Sequence, residues 1–254
     1  MDFPVYLHMF GKEINPHPIL ESLAFIVGFQ LYLRLRRPNH VPEEKGIGVL
    51  VGAIIGGLTG ALLLASLENI FVLGDLIEKG QWESILNGKT IVGGLLGGLI
   101  GVETAKKIIG HHTSTGDDMA IPIAVGLITG RIGCFLAGME DRTYGIQTNL
   151  WLGIDFGDGI SRHPTQLYEI LFLILLILIL YQFLKKKPWE GFVFQLFMTS
   201  YLGFRSLIEW IKPIPKPYLD MSAIQWACLF GIFYYGYLFF QKKKRQKNGG
   251  MENG

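Results

Sequence analysis

Residues 166–184 read QLYEILFLILLILILYQFL, a run of 19 residues with a single charge, Glu169. A helix of about 20 apolar residues is what a hydrocarbon core about 30 Å thick requires. A soluble core strand or helix of this length would be interrupted by charged positions, and here no charge interrupts it after Glu169. The stretch therefore decides the fold class: an all-α integral membrane protein. Working outward, six more windows carry almost no charge: Pro18–Leu35, Gly46–Leu67, Thr90–Val102 extended toward Ile109, Asp118–Ala137, Gly191–Ile211 and Ser222–Phe240. The one beginning at Thr90 is the weakest, because Glu103, Lys106 and Lys107 cut its apolar part short. The composition agrees, with 50% hydrophobic residues, 33 glycines and a mean hydropathy of +0.35 over 254 residues.

Charge placement sets the expected orientation. Arg34, Arg36, Arg37, Lys45, Lys106, Lys107, Lys185, Lys186, Lys187 and the basic tail (residues 242–254) fall on one side of the seven windows. Lys12, Lys79, Lys89, Arg142, Arg162, Lys212 and Lys216 fall on the other, which is a two-to-one bias. Basic residues stay in the cytoplasm, so the expectation is seven transmembrane helices, an extracytoplasmic N-terminus and a cytoplasmic C-terminus. Residues 1–254 read as a single seven-span domain with a small extracytoplasmic loop region at 138–165. The first 17 residues lack the basic start and apolar core of a cleavable signal. Next to the last window the basic tail reads as a topology anchor facing anionic lipid, and nucleic acid is not an expected partner.

Glycines recur four apart: Gly52, Gly56 and Gly60; Gly93, Gly97 and Gly101; Gly126 and Gly130. In lipid, small residues at this spacing let helix backbones approach closely, and tight packing is their first reading. Residues 74–89 form a short amphipathic segment suited to a membrane surface. The 138–165 loop has turn dipeptides, short β-like runs and the expected interfacial aromatics Tyr144, Trp151 and Phe156. Cys134 and Cys228 both fall inside spans, so a disulfide or a thiol-based metal site is not expected, and neither is any cofactor.

Ionisable residues inside spans are costly and mark functional sites. Arg131 lies in GRIGCFLAGMEDR (residues 130–142) and has no acid three or four positions away, so its partner must be another helix or a ligand. Arg205 and Glu209, in YLGFRSLIEWIK (residues 201–212), are four apart and share a helix face. Glu169 lies one turn inside its window, and Glu21 and Glu68 read as network members. Arginines buried near the outer ends of spans make an anion site, because guanidinium binds phosphate through two parallel hydrogen bonds. At that depth the anion is a phospholipid head group.

In order, GRIGCFLAG, a following Tyr-Gly pair, RHPTQLYE and YxxxRxxxE resemble the prolipoprotein diacylglyceryl transferases. The resemblance covers spans three to six well and the first two loosely. It implies a multi-pass transferase of the bacterial cytoplasmic (inner) membrane that moves a diacylglyceryl group from phosphatidylglycerol to the lipobox cysteine of a prolipoprotein signal peptide. Carried over residue by residue, it implies that Arg131, Arg205, His163, Glu169 and Glu209 do the catalytic work. Tyr201, Gln166, Tyr168, Glu140, Lys212, Gly97 and Gly98 would contact substrate, the two glycines through the segment GGLIGV at 97–102. A leaving phosphate gains charge in the transition state, so preplaced arginines stabilise it more than the ground state.

The chain also departs from the pattern. Leu96 stands where the family shows histidine, Cys134 where it shows asparagine, and Glu140 or Asp141 take the place of its next acid. His163 is the candidate replacement base, or else simply the residue that starts a helix before Pro164. Cys134 reads as a packing residue. The alternatives left open are a relative with a different acceptor or head group, and a non-catalytic lipid-binding protein. A transporter is disfavoured by the lack of an internal repeat.

Overall fold

The computed structural model describes residues 3–9, 11–36, 43–82, 88–111, 113–186 and 189–249. The helices are α1 (Pro16–Leu35), α2 (Glu43–Glu68), α3 (Ile70–Glu78), α4 (Ile91–Ile108), α5 (Asp117–Ala137), α6 (Thr165–Lys186), α7 (Phe192–Ile208) and α8 (Ala223–Gly249). Each of the seven apolar windows falls on one of them. Five are long and apolar enough to cross a membrane: Pro16–Leu35, Lys45–Glu68, Asp117–Asp141, Thr165–Lys186 and Ala223–Lys244. The other two fall short for physical reasons. Helix α4 carries Glu103, Lys106 and Lys107 within its 18 residues, and α7 has only 17. Residues 83–87 of the expected surface segment lie outside the described residues; before them α3 is a single amphipathic helix with Phe71 and Val72 exposed.

The chain forms two compact units. The first holds residues 1–38, 115–200 and 210–213, and the second holds 39–114, 201–209 and 214–254.

In the first unit α5 packs against both α1 and α6. A Cβ on Gly126 would lie 3.2 Å from the Ala24 carbonyl oxygen, so the glycine lets α1 and α5 close together. Helix α6 buries Glu169, Leu173, Leu176 and Leu180, a three-four repeat that is one stripe of an α-helix. Leu171, Leu175 and Leu178 on its other faces are more than half exposed, as lipid-facing side chains must be. Asp117, itself buried, accepts from Gly191 N (2.8 Å) and Phe194 N (3.0 Å), so a carboxylate from α5 satisfies two of the orphan donors that open α7.

The 138–165 loop is more ordered than its composition suggests. It opens with a 3₁₀ turn (Gly138–Asp141) and folds β3 (Ile154–Asp155) antiparallel onto β4 (Ser161–Arg162). Phe156 is 1% exposed rather than interfacial, because Phe3, Phe135 and Tyr144 close around it at ring separations of 5.2–6.2 Å. Trp151 at the loop tip is 89% exposed. A second hairpin, β1 (Leu7–Met9) with β2 (Lys12–Ile14), precedes α1.

In the second unit the glycine repeats of α2 and α4 face each other. A Cβ on Gly52 would sit 2.6 Å from the Gly101 carbonyl oxygen, and one on Gly56 would sit 2.9 Å from Gly101 Cα. These two backbones touch, and only glycine permits it. Buried Glu68 ends α2 and accepts from Ile224 N at 3.1 Å, capping α8.

Candidate active site

Helix α5 is where the first unit concentrates its polar chemistry. Arg131 is 5% exposed, and its Nε lies 2.9 Å from Glu169 Oε2 on α6, itself 1% exposed. The partner required from another helix is thus Glu169. The two side chains are held by the α5–α6 contact, each helix supplying one apolar stripe and one charge. A pair taken out of water this way is strong only while both members remain, since either alone is an uncompensated buried charge.

One helical turn on, Cys134 Sγ accepts from Arg131 Nη1 at 3.7 Å and lies 3.7 Å from His17 Nε2. His17 belongs to the first turn of α1. Asn15 caps that helix by accepting from His17 N at 2.9 Å, and its own amide donates to Glu140 Oε2 at 2.9 Å. Glu140 also accepts from Tyr6 Oη at 2.7 Å, which raises the pKa of that phenol because the neutral hydroxyl is the donor. Asp141 Oδ1 is 3.2 Å from the same His17 Nε2. Its other oxygen accepts from Thr143 Oγ1 at 2.5 Å, and Gln166 Nε2 donates to that hydroxyl at 3.0 Å. The 3₁₀ turn after α5 is therefore a clamp: Glu140 and Asp141 grip the start of α1, and Gln166 on α6 steadies the clamp from behind.

His163 lies at the edge of the loop. Its Nδ1 is 3.0 Å from Tyr168 Oη, its N–H donates to the Ile146 carbonyl at 3.1 Å and its carbonyl accepts from Gly145 N at 2.8 Å. It is thus built into the loop as well as placed before Pro164. Next to it, Arg162 binds Asp158 (2.5 Å) and holds that carboxyl below the usual carboxylate range.

Arg205 and Glu209 in the second unit form the expected pair four residues apart, with Arg205 4% and Glu209 0% exposed. Tyr201 on the same helix is fully buried. Gly97 and Gly98 lie in the second unit on α4, where Gly97 meets Gly60 of α2. Lys212 follows the 3₁₀ turn Glu209–Ile211. Of the sequence-predicted residues, the first unit brings together Arg131, Glu169, Gln166 and Glu140, with His163 and Tyr168 as a neighbouring pair. Sequence reasoning missed His17. The signal available was a histidine in the first turn of the first helix beside the helix-starting Asn-Pro, and its partners lie 117 and more residues away.

A mostly helical framework with five membrane-length helices, two of which hold the buried Arg131–Glu169 pair, defines a multi-pass membrane protein with an ionisable pair within its spans. The sequence profile of the prolipoprotein diacylglyceryl transferases matches residues 4–241, and the chain belongs to that family. It is similar to the phosphatidylglycerol–prolipoprotein diacylglyceryl transferase of Clostridium tetani, 29% identical and covering 94% of this chain and 99% of the relative. It is also similar to the enzymes of the same name from Geobacter sulfurreducens (33%, covering 87% of this chain and 85% of the relative) and Cupriavidus metallidurans (32%, covering 89% and 88%).

Proposed function

We infer that this chain moves the diacylglyceryl group of phosphatidylglycerol to the cysteine thiol in the lipobox of a prolipoprotein, releasing glycerol phosphate. The observation that carries the reading is family membership over nearly the whole chain, joined to the buried Arg131–Glu169 pair at the outer end of α5. The thiolate attacks the glyceryl carbon, a carbon–sulfur bond forms and the carbon–oxygen bond to phosphate breaks. The phosphate leaves with the electron pair, and the proton shed by the thiol balances it. Arg131 supplies the positive charge that meets the leaving phosphate, and Glu169 fixes the plane of the guanidinium so that little reorganisation is needed at the moment of transfer. Arg205 and Glu209 carry the family's second arginine–glutamate pair and share the catalytic assignment. His163 is assigned to proton handling, and Gln166, Tyr168, Tyr201, Glu140, Lys212, Gly97 and Gly98 to substrate contact.

In this reading α1, α2, α4, α5, α6, α7 and α8 are seven spans in the bacterial inner membrane, the N-terminus and the 138–165 loop are extracytoplasmic, and the basic tail is cytoplasmic. Leu96 and Cys134 in place of the family's histidine and asparagine favour a second reading, in which the phospholipid is retained and the acceptor differs. Purified protein incubated with labelled phosphatidylglycerol and a lipobox peptide separates the two. Diacylglyceryl-modified peptide with released glycerol phosphate supports the first. Glycerol phosphate released without peptide modification selects the second.

A further inference from the structure

Three side chains of different chemistry converge beside Arg131: His17 from α1, Cys134 from α5 and Asp141 from the 3₁₀ turn that follows it. One donor atom of each lies within 4.8 Å of the other two. His17 Nε2 is 3.2 Å from Asp141 Oδ1 and 3.7 Å from Cys134 Sγ. Both neighbours therefore address one ring nitrogen, and a nitrogen, a sulfur and an oxygen ligand atom face one another.

A divalent cation suits this cluster, because all three atoms can be donors to a common centre. Zinc with nitrogen, sulfur and oxygen ligands at about 2.0–2.3 Å in tetrahedral geometry separates those ligands by roughly 3.4–3.6 Å. The His17–Asp141 and His17–Cys134 distances of 3.2 and 3.7 Å bracket that range. Charge also balances, since one thiolate and one carboxylate offset a divalent ion while Glu169 already offsets Arg131. The ligands have outer-shell support of the kind metal sites use. Asp141 Oδ2 is held by Thr143 and, through it, by Gln166, which is 1% exposed; Cys134 Sγ accepts from Arg131 Nη1; and the His17 backbone is fixed by the Asn15 cap. Access is available as well, since the His17 side chain is 30% exposed and that of Asp141 12%.

We propose that His17, Cys134 and Asp141 form a three-ligand site for a zinc-class divalent cation, whose open fourth position takes the substrate thiol. This rests on the transfer reading above for the identity of the fourth ligand only. A thiol bound to such an ion gives up its proton to water and becomes the thiolate that the reaction requires. The site would thus do by metal ligation what a basic side chain does elsewhere. It departs from the sequence expectation of no thiol-based metal site, because one cysteine suffices when histidine and aspartate complete the set.

The test is cobalt(II) titration of the purified, metal-stripped protein in detergent, followed by absorption. One equivalent of cobalt with a sulfur-to-metal charge-transfer band in the near ultraviolet is expected. The band should persist in Cys228→Ser, vanish in Cys134→Ser and need at least ten times more cobalt in Asp141→Asn. Absence of the band in the parent protein, or its survival in Cys134→Ser, overturns the proposal. His17→Ala supplies a second reading independent of how Cys134→Ser folds: the charge-transfer band must shift or weaken while the circular dichroism stays unchanged, and an unaltered band overturns the site. Adding a lipobox peptide should intensify the band through a second thiolate, and the serine version of the peptide should not; equal responses overturn the assigned fourth ligand. All of these are read without turnover. Failure to transfer diacylglycerol with the cobalt band intact therefore rejects the transfer reading and leaves the metal site standing.

Discussion

The two buried arginine–glutamate pairs are built differently. Arg131 and Glu169 come from two helices, and their contact exists only because α5 and α6 pack. Arg205 and Glu209 lie one turn apart, the first in the last turn of α7 and the second opening the 3₁₀ turn that continues it, so one continuous segment makes their contact. The first pair reports tertiary structure and the second reports helix period. A reaction that needs a rigidly aimed guanidinium gains more from the first arrangement, since two independent backbones fix the two ends of the ion pair. Removing one partner also has different consequences: across a helix–helix contact it weakens the packing of the whole unit, whereas within one helix it exposes a local charge imbalance.

The largest effect that sharpens this comparison is expected for Arg131→Ala. It should lower kcat/KM for transfer by at least about a hundredfold, the scale of losing a preplaced charge stabiliser, while the protein remains in the membrane fraction. Arg205→Ala is expected to abolish transfer too. Glu169→Gln should then lower both transfer and the melting temperature, whereas Glu209→Gln should lower transfer with a smaller thermal shift. Equal thermal shifts in the two glutamine variants would break the contrast between inter-helix and intra-helix pairing.

Next in size is the glycine contact of the second unit. Gly56→Leu forces a side chain into a gap where even a Cβ would lie 2.9 Å from Gly101 Cα, and it is expected to cost about 1–3 kcal/mol or more, read as a lower melting temperature in detergent. Gly236→Ala on α8, where nothing lies within 4 Å of an added Cβ, should show no such loss. Smaller again is Asp117→Ala, which removes the acceptor for Gly191 N and Phe194 N and should destabilise the first unit by about 1 kcal/mol.

The smallest effect is electrostatic and lies in the 138–165 loop. Asp158 is exposed, and Arg162 holds its carboxyl below the usual range. A depressed folded-state pKa means that the loop's gain from this pair is present above the ordinary carboxylate pKa and is lost as pH falls through the folded value. Fluorescence of Trp151, at the exposed tip of the same loop, should therefore change on acidification in the parent protein. Asp158→Asn should flatten that change, and an identical acid response in both proteins would remove the pair from the account.

The helices were legible because lipid imposes a one-dimensional rule: long uncharged runs must be helical. The i,i+4 relation of Arg205 and Glu209 and the four-residue glycine spacing were legible for the same reason, being periods of one helix. Glu169 as the partner of Arg131 was legible only as a requirement for some partner on another helix. His17 was legible only as a histidine at a helix start, since its meaning comes from Cys134 and Asp141, which reach it through the packing of α1 on α5. The burial of Phe156 escaped for a related reason. An aromatic beside a turn reads as interfacial until Phe3 and Phe135 are seen on either side of it.

The clamp between Glu140 and the start of α1 also sets an order of events during synthesis. Asn15 and its acceptor Glu140 are 125 residues apart, so at about 5–20 residues per second the ribosome needs roughly 6–25 s to supply the partner. Through that interval the first span must wait in the membrane with its capping amide served by water or lipid head groups. It docks only once α5 has been inserted and the 3₁₀ turn behind it has formed. The start of the first helix is thus completed late, by a segment made halfway through translation.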